Sequence, residues 1–96
     1  MWNPEVLQQA GLEPRHLRLL AGYRLSRQVY WSWIRGRTLP PRERLGTLSR
    51  ICEAVRDCLE AGQLPVPESP DLLPDERLAR IVNPIRKRLG QEEFLI

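Results

Sequence analysis

A single histidine, two cysteines and no Cys-x-x-Cys pair leave this chain almost nothing with which to bind a metal. A zinc site needs about four ligands at set spacings, and no such spacing occurs. Cys52 and Cys58 lie six residues apart in a stretch that reads as a helix. Six residues turn a helix by about 600°, so the two thiols face different ways and cannot be bridged. They are expected to be small, reduced, buried hydrophobes, which fits a cytoplasmic address. No apolar run approaches the ~20 residues of a membrane helix, and no basic segment followed by an apolar one suggests a secretory signal. Strand-like alternation, internal repeats and low-complexity tracts are also missing. A membrane-spanning protein, a secreted disulfide miniprotein and a large-cleft enzyme are all disfavoured.

What is present is an ordinary globular balance. The 96 residues are 42% hydrophobic and 28% charged, enough core formers for one small domain. The net charge is only +3, but it is unevenly spread. Residues 1–44 hold eight arginines against three glutamates, a balance of +5, and residues 45–96 balance at −2. A basic half joined to a slightly acidic half suggests that one face meets a polyanion. Fourteen of the fifteen basic residues are arginine, whose planar fork suits phosphate and the guanine edge.

Breakers divide the chain into short helices. Asn3-Pro4 reads as a cap and first turn, Gly11 ends that segment, and Glu13-Pro14 starts the next. The second helix breaks between Gly22 and Arg24. Ser26 is an N-cap type before a helix of about residues 27–35, whose Val29, Tyr30, Trp33 and Ile34 repeat as one apolar face. Gly36 ends it. After Pro40-Pro41, a long amphipathic stripe runs from Arg42 to Gly62. Residues 63–74 hold four prolines in twelve positions and read as a linker or an extended segment lying on the surface. A last helix opens at Asp75-Glu76, where Pro84 is expected to kink or split it. The fold class is therefore all-α, a compact bundle of four to six short helices.

The second helix, its break, Ser26 and the helix that follows form a helix-turn-helix candidate. A recognition helix must fit a groove ~12 Å wide and reach it with polar side chains near its N-terminus. Tyr30 and Trp33 would anchor it, leaving Arg27, Gln28, Trp31, Ser32 and Arg35 outward. Arg37, in the basic turn after Gly36, could meet a phosphate.

The run Leu25-Ser26-Arg27-Gln28, followed by Trp33-Ile34-Arg35-Gly36-Arg37-Thr38-Leu39-Pro40, resembles the Cro/lambda-repressor-like helix-turn-helix family of bacteria and phages. The resemblance covers about residues 15–60. It implies a five-helix domain that binds operator DNA, usually as a homodimer on a near-palindromic site. Carried onto this chain, it implies base contacts from Arg27, Gln28, Trp31 and Ser32, and backbone contacts from His16, Ser26, Arg35 and Arg37. The family's turn glycine corresponds to Arg24 here. The nearest glycine, Gly22, stands two residues earlier, so either the turn is not the standard one or the second helix is shorter.

The organisation expected is a DNA-binding unit at 1–62, a proline-rich linker at 63–74 and a C-terminal helix and tail at 75–96. Leu78, Ile81, Ile85, Leu89 and Phe94 would either cover the core or form a dimer surface, with dimerisation favoured. The leading functional expectation is a sequence-specific DNA-binding regulator, a repressor acting on double-stranded DNA. The alternative is a protein-interaction module, an antitoxin or adaptor on the same scaffold. An enzyme is not expected. The chain has no nucleophile–base pair and no phosphate loop, and it implies no cofactor and no small-molecule substrate. Glu53, Asp57 and Glu60 read as the ordinary exposed face of a helix.

Overall fold

The computed structural model describes residues 1–94; Leu95 and Ile96 of the expected apolar tail lie outside the described residues. Five helices follow in order: α1 (Pro4–Gln9), α2 (Pro14–Ala21), α3 (Arg27–Ile34), α4 (Arg42–Glu60) and α5 (Pro74–Arg88). No strand occurs among the described residues.

The local chemistry of the ends explains these boundaries. The Asn3 side chain accepts a hydrogen bond from the Glu5 N–H, with Pro4 in the first turn of α1. Gly22 closes α2 in the left-handed region at φ 76°, a conformation that is strained for any side chain with a Cβ. This fixes α2 as the shorter of the two lengths the sequence left open. Arg24 is spared a left-handed backbone, since no described non-glycine residue has a positive φ.

α4 is the spine, about 28 Å long at 1.5 Å per residue. α1, α2 and α5 all pack against it, and α5 also packs on α2. α3 lies to the outside, resting on α1. Leu7, Leu17, Leu48, Val55, Val82 and Ile85 are fully enclosed where these helices meet. Each such side chain contributes about 1.5–3 kcal/mol through the apolar surface it removes from water. Cys52 and Cys58 lie in the same core as free thiols, and burial pushes both pKa values up.

The C-terminal helix corrects the expected organisation in three ways. First, much of its apolar face is spent within the chain. Ile81 and Ile85 are buried against α2 and α4, and Leu78, Leu89 and Phe94 are half-buried on the same core. Ile81 and Ile85 are thus taken up within one chain, whereas Leu78, Leu89 and Phe94 keep part of their surface exposed. The Leu17 and Leu20 face of α2 needs a cover, and α5 supplies it. Second, residues 63–74 are not a free tether. Leu64 is buried, and Arg77 donates to the carbonyls of Val66 and Pro67 at 3.2 and 3.0 Å. The radius of gyration, 12.8 Å, agrees with the roughly 12.5 Å expected of one domain of this length. Third, Pro84 lies inside one continuous α5, so of the expected kink or split the split does not occur. A proline there removes a single backbone donor. The flanking Ile81, Val82 and Ile85 are all buried, and this packing holds the helix through the defect. Asp75 and Glu76 in the first turn and Arg86, Lys87 and Arg88 in the last complement the helix dipole.

The tail folds back over the end of α2. Arg86 and Gln91 donate to the carbonyls of Leu19 and Leu20, at 3.0 and 3.1 Å. These are last-turn carbonyls with no partner inside their own helix. Asn83 both donates to the Phe94 carbonyl and accepts from its N–H, at 3.1 and 2.6 Å, which clamps the tail on α5.

Candidate nucleic-acid interface

α3 is built to hold one face still while showing the other. Ser26 Oγ accepts from the Val29 N–H at 3.1 Å. That cap contributes about 1 kcal/mol to the helix. Behind it, Tyr30 is fully enclosed, and its hydroxyl donates to the Leu12 carbonyl at 2.7 Å. Burial raises the Tyr30 pKa, so the phenol stays protonated as that bond requires. Trp33 packs edge-to-face on Trp2, ring centres 6.0 Å apart, and Ile34 completes the anchored face. The register is fixed by three large side chains and one buried hydrogen bond.

Arg27 and Gln28 are exposed in the first turn, and Arg35 and Arg37 are exposed at the far end. Trp31 is only half-exposed. It stands edge-to-face on Tyr30 at 5.2 Å, so it is partly core and partly surface. Ser32 is also half-buried, and its hydroxyl shares a 2.7 Å hydrogen bond with that of Thr38. Val29 departs from expectation: it is 42% exposed rather than part of the apolar face. The anchored face of α3 is Tyr30, Trp33 and Ile34 alone.

His16 is a correction of a different kind. A DNA backbone contact requires a reachable side chain, and this one is 1% exposed. Its Nδ1 accepts from the Glu13 N–H at 2.8 Å, completing a reciprocal capping box at the start of α2. Burial, with the Arg15 charge beside it, lowers its pKa from 6.5 to about 4. Glu13 acts in the opposite direction, and the Arg77 charge adds a smaller lowering.

This burial has a measurable consequence. Between pH 6.5 and about 4 the unfolded chain binds more protons at His16 than the folded chain does, so stability rises with pH there. The contribution is complete above about pH 6.5 and is lost as the pH falls toward 4. It amounts to about 3 kcal/mol over that window. Urea unfolding at stepped pH should show the decline. His16→Gln, which keeps a capping side chain without titrating, should flatten it. A decline equally steep in the variant would assign the effect elsewhere.

The arginines form a pattern that residue spacing did not reveal. All eight in residues 1–44 are exposed. Among the described residues only Arg15 meets a carboxylate, Glu13 at 3.0 Å. Four of them sit in first turns: Arg15 in α2, Arg27 in α3, and Arg42 and Arg44 in α4. The N-terminus of a helix is its positive end, so cations there work against the dipole. α5 obeys the dipole rule at both ends, whereas α2, α3 and α4 each place arginine at the positive end, with Glu43 of α4 the one first-turn acid among them.

The starts of α2 and α4 flank α3 on either side. Glu13, Pro14, Arg15 and Arg18 of α2 and its cap share a cavity of about 260 Å³ with Arg27 and Trp31. On the other side of α3, Tyr23, Ser26 and Val29 share one of about 220 Å³ with Pro41 and Arg44. The Arg44 guanidinium lies 3.7 Å from the centre of the Tyr23 ring. Arg18, Arg24 and Arg44 therefore join Arg27, Arg35 and Arg37 as candidate contacts that the sequence motif missed. The only sequence signal for them was the charge imbalance of the first half.

Among the described residues, no cluster of three or more histidine, cysteine or acidic side chains is placed to hold a metal, and no helix is long and apolar enough to cross a membrane. Compared with known proteins, the chain matches no family model, no curated protein and no solved structure.

Proposed function

We propose that this chain is a sequence-specific DNA-binding regulator, a repressor in its simplest form, which lays α3 in the major groove of double-stranded DNA. One observation carries the reading. Arginines stand in the first turns of α2, α3 and α4, at the positive ends of these helices, where Glu13 and Glu43 offset only part of their charge and an outside polyanion would offset the rest. A DNA backbone supplies that anion on both sides of a groove. Within this frame, exposed Arg27 and Gln28 are the base readers, of the types that pair with guanine and adenine edges. Ser26, Arg35, Arg37 and Arg44 hold the backbone, and Trp31 and Ser32 lie at the rim of the contact. A homodimer on a near-palindromic site, as the family resemblance implies, would join through a surface other than the buried Ile81 and Ile85 face of α5.

A second reading is favoured by two exposed apolar side chains near α3, Val29 at 42% and Leu39 at 77%. On a protein-interaction module they would be the contact residues. Selection from a pool of random duplexes with the full chain separates the two readings. A regulator enriches a short recurrent motif. A pool still random after several rounds would reject the sequence-specific reading and leave the interaction module.

A further inference from the structure

The 260 Å³ cavity between the first turns of α2 and α3 has a composition that duplex recognition does not require. Its walls are Glu13, Pro14, Arg15, Arg18, Arg27 and Trp31. The Glu13 carboxylate is 3.0 Å from Arg15 Nε, so those two charges offset each other. Arg18 and Arg27 meet no carboxylate among the described residues, and they leave the cavity with an excess of positive charge. The apolar walls are Pro14 and the indole of Trp31, which is held edge-to-face on Tyr30 at 5.2 Å. Tyr30 is in turn fixed by its hydrogen bond to the Leu12 carbonyl. The indole is therefore pre-positioned, and it costs little further ordering when something stacks on it.

Two uncompensated guanidiniums beside a fixed aromatic plane match a flat aromatic group that carries an anion. The volume lies just under the roughly 300 Å³ at which small-molecule pockets begin, which suits one base and its phosphate and excludes a dinucleotide. A bare phosphate would use the arginines but leave the indole wet. We infer that this cavity binds a nucleoside monophosphate, with the base stacked on Trp31 and the phosphate on Arg18 and Arg27. The nucleotide is either free or an unpaired unit of a single strand. The cavity shares Arg27 and Trp31 with the duplex surface proposed above, so its occupant and duplex DNA exclude each other.

Calorimetric titration of the full chain with adenosine 5′-monophosphate, adenosine, inorganic phosphate and a short single-stranded oligonucleotide tests this. The monophosphate should bind saturably, with adenosine and phosphate each weaker by about tenfold or more. Arg18→Gln and Trp31→Ala should each weaken it by about tenfold. Trp31→Phe, which keeps a ring, should recover most of the loss. Unchanged helical dichroism would show that the variants are folded. Saturable binding of the oligonucleotide alone would support the site and identify an unpaired unit as its ligand. Phosphate binding as tightly as the nucleotide would overturn the stacking claim. Nucleotide affinity unchanged in Arg18→Gln, or no binding of nucleotide or oligonucleotide, would overturn the site. Duplex binding measured on the same sample separates the two proposals: if it persists without nucleotide binding, this inference alone falls, and if neither binds, both fall.

Discussion

Replacing Ile85 with alanine is expected to lower the stability of the chain by about 2–5 kcal/mol, the largest single effect anticipated in α5. Ile85 is fully enclosed in the core where α5 covers α2 and α4. Removing its branched end loses transfer free energy and leaves a hole that long, well-anchored helices cannot easily collapse. The loss should be independent of protein concentration, because the contacts lie within one chain. Leu89→Ala should cost less, since that side chain is only half-buried. Urea unfolding of the wild type and both variants at two well-separated concentrations checks this. A difference between wild type and Ile85→Ala that itself changes with concentration would return these residues to an interface between copies. A loss under 1 kcal/mol for Ile85→Ala would show that α5 is not part of the core.

The second large effect concerns DNA. Arg27→Ala should weaken binding to a selected duplex by about 1–3 kcal/mol and relax the preference at one base position. Gln28→Ala should do the same at a neighbouring position. Both side chains are exposed in the first turn of a helix whose other face is locked by Tyr30, Trp33 and Ile34. Arg37→Ala should instead weaken selected and scrambled duplexes alike, as a phosphate contact does. Fluorescence anisotropy with both duplexes reads the difference. If Arg27→Ala and Arg37→Ala give the same uniform loss, α3 holds the backbone and reads no bases.

The helices were legible because their ends carry strong local chemistry. Asn3-Pro4, Glu13-Pro14, Ser26 and the glycines at 11, 22, 36 and 62 place four helices to within a residue or two. The anchoring of α3 by Tyr30 and Trp33 was legible from period alone. What was missed depends on the third dimension. An apolar stripe such as that of α5 looks the same whether it meets its own chain or another. Only the apolar Leu17 and Leu20 face of α2, which would lie bare without α5, decides the matter. Pro84 breaks a helix in isolation, but buried isoleucine and valine on both sides outweigh one lost hydrogen bond. His16 looked like a surface residue at a helix start. The signal for its true role was the Glu13-x-x-His16 spacing, a capping box with histidine in place of the usual glutamate or glutamine. The candidate interface was half legible. The motif named Arg27, Gln28, Arg35 and Arg37, all of them exposed. Arg18, Arg24 and Arg44 come from other elements and join the cluster only when α2, the turn after it and α4 flank α3.

The most direct test of a DNA-reading α3 is the affinity of the full chain for its selected duplex, and for a scrambled one, across a salt series. Neutralising roughly five to seven phosphates predicts that log K falls with log salt at a slope of about −4.5 to −6 on both duplexes. The selected duplex should be preferred at every salt concentration. A slope shallower than about −1 with equal affinity for both duplexes would contradict the account and make α3 a surface for protein rather than DNA.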